Sequence, residues 1–189
     1  MARATVTGMA RITNRVPTAW LAAGLVLAGL SGCATNAARS DPGLPGAGTA
    51  DVHVDPSGDI AHLAAVRLAG QDGYDRLVLE FTDRVPGYTV GSRPLPARQD
   101  ASGFEIPLPG AGALLQLSLN PATAAGWAGG PITYSGPATL AADTASVTEV
   151  KNAGDFEAVL TWVAGVRTQE PFRVQVLDSP PRLVVDIAH

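Results

Sequence analysis

Between Arg76 and Thr82 the chain alternates: Leu77, Leu79 and Phe81 face one side, while Arg76, Glu80 and Thr82 face the other. Leu115-Gln116-Leu117-Ser118-Leu119-Asn120 sets three leucines against three polar residues in the same way, and Phe172-Arg173-Val174-Gln175-Val176 repeats it. A period of two predicts strands with one buried and one wet face. Further strands are predicted over Leu63–Ala69, Tyr88–Val90, Ser102–Pro107, Val147–Asn152, Glu157–Val163 and Leu183–Ile187. Turn chemistry separates them at Gly70-Gln71-Asp72-Gly73, Pro86-Gly87 and Asn152-Ala153-Gly154-Asp155, and Ser179-Pro180-Pro181 breaks the chain before the last strand. Nowhere do apolar residues recur at helical spacing over three turns; the Ala-rich stretch Pro121–Ala128 is expected to form one short helical turn. Short strands closely spaced from residue 60 onward predict an all-β domain, a β-sandwich or partly open barrel of antiparallel strands.

Upstream of residue 60 the period disappears. Residues 34–59 are rich in Gly, Ala, Asp and Pro and read as a flexible tether. Gly43-Leu44-Pro45-Gly46-Ala47-Gly48 is linker material rather than a phosphate loop, because no strand precedes it and no helix follows. Gly110-Ala111-Gly112 likewise opens a strand, so it reads as a turn. At the N-terminus Arg3, Arg11 and Arg15 flank an apolar run from Ala19 to Leu30. That run is shorter than the ~20 residues a spanning helix needs and falls within the ~7–15 typical of a signal peptide. The small residues Ser31 and Gly32 then precede Cys33, and Leu30-Ser31-Gly32-Cys33 resembles the lipobox of bacterial lipoproteins. The resemblance implies that the Cys33 thiol receives a diacylglyceryl group and that the chain is cut just before it. Residues 1–32 are then a lipoprotein signal peptide, 33–59 the acylated cysteine and tether, and 60–189 the β domain. Two acyl chains anchor stably where one is marginal, which places the protein on the extracytoplasmic face of the cell membrane.

Composition agrees with a packed β domain. Hydrophobic residues make up 46% of the chain, enough for a core, and 21 Gly with 15 Pro favour short strands and turns. The formal net charge of −4 includes the three leader arginines; without them ten basic side chains face seventeen acidic ones, a net of −7. Such a surface does not neutralise phosphate backbones, which argues against nucleic acid as a partner. A single cysteine leaves no intramolecular disulfide.

A search for reactive groups returns little. His53, His62 and His189 form no His-x-x-x-His or Glu-x-x-His pair, and no second cysteine completes a zinc site, so neither metal nor cofactor is expected. No Gly-x-Ser-x-Gly elbow is present, and no serine stands beside a histidine as in a triad. Among the acids Asp75, Glu80, Asp83, Asp155, Glu157 and Asp186, nothing in the sequence brings a glycosidase pair together. Asp75, Asp83 and Asp155 lie near turns, where a carboxylate often caps its own backbone. Asp186 is expected to pair with an arginine such as Arg76 or Arg182. Trp162, on a strand, is expected in the core. Trp127 lies in Gly126-Trp127-Ala128-Gly129-Gly130, a context that does not easily bury an indole. Trp127 and Tyr134 are therefore the candidate ligand contacts, by stacking on a sugar ring or packing on a partner; the competing reading folds Trp127 onto the sandwich edge.

Two segments carry more than a period: Tyr74-Asp75-Arg76-Leu77-Val78-Leu79-Glu80-Phe81 and Pro180-Pro181-Arg182-Leu183-Val184-Val185-Asp186-Ile187. Together they resemble the AMIN domain, and residues 60–188 look more closely like the AMIN-like domain of lipoproteins from high-GC Gram-positive bacteria. The resemblance implies a β-sandwich in the wall zone that binds peptidoglycan or positions a wall-associated protein. No amidase, LysM or secretin module accompanies it in this chain, a departure from AMIN proteins proper. The expected function is that of a non-catalytic envelope lipoprotein; the alternative is a carrier of lipid or another hydrophobic ligand, which requires an internal apolar cavity.

Overall fold

A computed structural model describes residues 44–126 and 131–189. Thirteen strands follow one another in these residues, with no helix among them. The first six are β1 (Val52–Val54), β2 (Ala61–Gln71), β3 (Tyr74–Phe81), β4 (Gly87–Arg93), β5 (Ala97–Arg98) and β6 (Glu105–Ile106). The remainder are β7 (Ala113–Asn120), β8 (Ala122–Thr123), β9 (Thr139–Ala141), β10 (Val147–Phe156), β11 (Val159–Val166), β12 (Phe172–Asp178) and β13 (Pro181–Ala188). They form a six-stranded sheet in the order β1-β4-β7-β11-β10-β9 and a five-stranded sheet in the order β12-β13-β3-β2-β8, with β5 and β6 as a separate hairpin. Every pairing is antiparallel except that of β2 with β8. The fold is the predicted all-β sandwich.

The alternating leucines explain why the sheets face each other. Leu77, Leu79 and Phe81 of β3 and Leu183, Val185 and Ile187 of β13 point inward from one sheet; Leu115, Leu117 and Leu119 of β7 with Leu160 and Trp162 of β11 meet them from the other. All are buried, and burying each is worth about 1.5–3 kcal/mol. A second, smaller cluster lies on the opposite face of the larger sheet. There Leu114 and Val163, which alternate outward, are covered with Ala153 by Ala97 and Ile106 of the β5–β6 hairpin. Strand β11 is thus buried on both faces, which is why its sequence shows little alternation.

Four expectations need correction. Residues 44–59 do not read as a free tether in the structure. Leu44 is buried, Gly48 bridges Phe172 at the edge of the five-stranded sheet, and β1 then pairs with β4 at the edge of the other. This strap pairs with one edge strand of each sheet, and its few apolar residues made no period because it alternates between two partners. The segment Pro121–Ala128 forms no helical turn over its described part; Ala122 and Thr123 pair in parallel with β2. The third concerns Asn152–Asp155, which lies inside β10 as a bulge that lets Asp100 pack on Gly154. The reversal comes at Glu157 and Ala158, both at positive φ (52° and 60°), so β11 starts at Val159 rather than Glu157. Lastly, the predicted strand Ser102–Pro107 shrinks to Glu105–Ile106.

Candidate functional site

A shallow cleft of about 240 Å³ opens where the 131–138 segment crosses the end of the sandwich; Ala124, Ala125, Ile132, Tyr134, Asn152 and Asp155 form most of its lining. The segment is fixed at three points. Thr133 Oγ1 donates to the Leu63 carbonyl (2.7 Å), Asn152 N donates to the Ala138 carbonyl (2.8 Å), and Tyr134 sets its ring edge-on against Trp162, centroids 5.7 Å apart at 84°. The Tyr134 hydroxyl donates to the Pro137 carbonyl (2.7 Å), and partial burial raises its pKa. Gly136 leaves room for that ring, since a Cβ there would lie 2.6 Å from it. Tyr134 therefore both lines the cleft and pins its wall to the core tryptophan.

Asp155 holds the opposite wall. Its Oδ2 accepts from Thr123 Oγ1 (2.9 Å) and from the backbone N–H groups of Ala124 (2.8 Å) and Ala125 (3.0 Å). The carboxylate organises the turn after β8, which is why no helix is needed there. Ile132 stands 76% exposed at the mouth, a large apolar side chain that no described residue covers. An apolar rim, an aromatic edge, one amide and one carboxylate are the ingredients of a recognition cleft. Asn152 and Ile132 were not singled out from sequence: Asn152 read as a turn residue, and Ile132 carried no pattern.

Trp127 and Cys33 both lie outside the described residues. Along the chain Trp127 is two residues from Ala125 and five from Ile132, which both line the cleft. Trp162 is fully buried in the core.

The other singled-out acids are dispersed. Asp75 is buried on the inner face of β3, and its Oδ2 accepts from the backbone N–H of Ser146 and of Val147, both at 2.8 Å. It caps a distant loop rather than its own turn, correcting that expectation; His189 Nε2 lies 3.7 Å from its other oxygen. Asp83 accepts from the backbone N–H groups of His62 and Arg84; burial pushes its carboxyl up, and these bonds bring it below its ordinary value. Asp186, fully buried, pairs with Arg76 (2.7 Å) as expected and also with Arg173 (2.7 Å), while Arg182 turns to the Pro180 carbonyl instead. Burial raises the Asp186 carboxyl, and the two guanidiniums more than offset it, so its pKa falls below the usual value. His53 lies on β1, bonded to Thr89 and Asp55. No group of three or more His, Cys, Asp or Glu stands together among the described residues.

These features define a class: an all-β sandwich that carries a shallow cleft lined by Tyr134 and Asp155 and a half-buried arginine–aspartate ladder built from β3, β13 and β12. The family model of the AMIN-like domain matches residues 61–189. The chain belongs to the AMIN-like domain family, and that membership points to a cell-wall-related role. Comparison with curated proteins and with solved structures found no match.

Proposed function

We propose that this protein is a non-catalytic lipoprotein of the cell envelope, anchored through Cys33, whose AMIN-like domain binds peptidoglycan or positions a wall-associated partner. The observation that carries the reading is the AMIN-like domain across residues 61–189. The lipobox-like Leu30-Ser31-Gly32-Cys33 supplies the location, and the cleft at Tyr134 supplies a place for recognition. Its volume lies below the about 300–1,000 Å³ of typical small-molecule sites. That suits one ring or side chain of an extended polymer rather than a whole enclosed ligand. The exposed Ile132 and the edge of Tyr134 offer apolar contact to a sugar face, and Asn152 with Asp155 offers hydrogen bonds to its hydroxyl or amide groups. The core between the sheets is filled by Leu, Phe and Trp side chains, which weighs against the hydrophobic-carrier alternative.

The test is retention of the protein on purified peptidoglycan. Wild type is expected to sediment with it, and Ile132→Asp and Trp127→Ala are each expected to lower retention about tenfold at unchanged thermal stability. Ile132 is exposed enough that the substitution spares the fold. Equal retention of all three removes the cleft from the binding site; no retention of wild type, with a wall-associated protein captured instead, leaves positioning as the role.

A further inference from the structure

The outward face of the five-stranded sheet carries a checkerboard of charge. Asp186 of β13 sits opposite Arg76 of β3 on one side and Arg173 of β12 on the other. Four residues away on the same strands, Glu80 sits opposite Arg182 and bonds Arg67 of β2 at 2.8 Å. Each acid lies between two arginines, so each trio keeps one uncompensated positive charge. The acids are also the deeper groups: Asp186 is fully buried and the Glu80 side chain 23% exposed, whereas Arg67 is 57% and Arg76 35% exposed. Guanidiniums therefore form the outer layer of a patch roughly 13 Å on a side, from strand rise and spacing. The Tyr74 ring lies 5.2 Å from the Arg76 guanidinium, and Leu177, on the same face, is 38% exposed. Asp72 and Asp178 stand in or beside the hairpin turns at the two ends, outside the patch. The remainder of the chain is acidic, so this face is an electrostatic exception.

The strap packs at the edge of this face. Arg173 donates to the Pro45 carbonyl (3.1 Å), and Gly48 pairs with Phe172 of β12. The chain thus enters the domain beside this patch, with the ten residues Ala34–Gly43 between it and Cys33. Ten residues span at most about 35 Å.

We infer that this face docks on an anionic phospholipid surface, laying the head against the membrane to which the chain is attached. The inference takes from the lipid-anchor reading only that a membrane is at hand; the chemistry is independent of it. Arginines seat bidentately on phosphate oxygens, Leu177 reaches the interface, and the acids beneath hold the guanidiniums in register.

The test uses a soluble form starting at Ala34, which retains both sheets and the described core but no acyl chain. Its failure therefore says nothing of Cys33, and an unacylated Cys33 in cells leaves it intact. Sedimentation with phosphatidylglycerol vesicles is compared with phosphatidylcholine vesicles, at low and high salt. We expect binding to the anionic vesicles alone, weakened by salt. Arg67→Glu with Arg182→Glu should lower it more than about twenty-five-fold, since removing each basic side chain costs about five-fold and the new acids add repulsion. Arg67→Gln with Arg182→Gln, which brings the face to neutral without placing new acids on it, should fall between. Binding to both vesicle types, to neither, or equally by all variants overturns the inference. So does retention on inorganic polyphosphate without retention on phosphatidylglycerol, which would make a phosphate-bearing polymer the partner.

Discussion

Asp75 and Asp186 are both fully buried, and they lie on opposite faces of one sheet. Asp75 points into the sandwich and is held by two backbone N–H groups, whereas Asp186 points outward and is held by two guanidiniums. The Asp186 carboxyl titrates below its ordinary range when folded. Its contribution to stability is therefore complete above the unfolded value near ~4 and is lost as pH falls through the folded value. Asp186→Asn is expected to cost about 2 kcal/mol at neutral pH, less than the about 3–5 of a fully buried pair, because both arginines keep solvent access. Urea midpoints measured from pH 6 to pH 3 should fall more steeply for wild type than for the variant; parallel curves would contradict the assignment. The Arg76–Asp186 pair was legible because both residues stand in outward positions of recognisable strands. Arg173 was not, since its position opposite Asp186 depends on the register of the last hairpin, which no residue spacing discloses.

At the scale of elements, alternation located the strands and missed what lies between them. The β2–β3 hairpin falls at Asp72-Gly73 as read, with Gly73 at the positive φ (80°) such a turn needs. The β10–β11 hairpin does not follow that chemistry: its turn is Glu157-Ala158, two residues with side chains in the left-handed region, while the expected Asn152 and Gly154 serve a bulge. Glu157→Asn with Ala158→Gly relieves that strain and should stabilise the domain by about 1 kcal/mol. The corresponding rise in Tm is roughly 3 °C. A lower Tm in calorimetry would mean that the left-handed residues are held by contacts rather than tolerated. The strap escaped notice for a different reason. Its ordering comes from tertiary partners, Phe172 for Gly48 and β4 for β1, and a segment recruited by edges built elsewhere leaves no period of its own.

For the whole molecule, the strap and the cleft set the geometry of the proposed role. In the proposed role, the cleft formed with Tyr134 and Asp155 is the surface offered to the wall. The fold was largely readable, because two facing sheets need little more than alternating leucines. The cleft was readable only through Tyr134, since its other walls come from a turn after β8 and a bulge in β10 that are brought together by packing. The proposed location turns on the anchor, and the direct measurement is the intact mass and N-terminal peptide of the protein extracted from its native membranes. The expected result is a chain that begins at Cys33, with residues 1–32 gone and a diacylglyceryl group on the sulfur. A chain that retains its leader and carries a free thiol at Cys33 would contradict it.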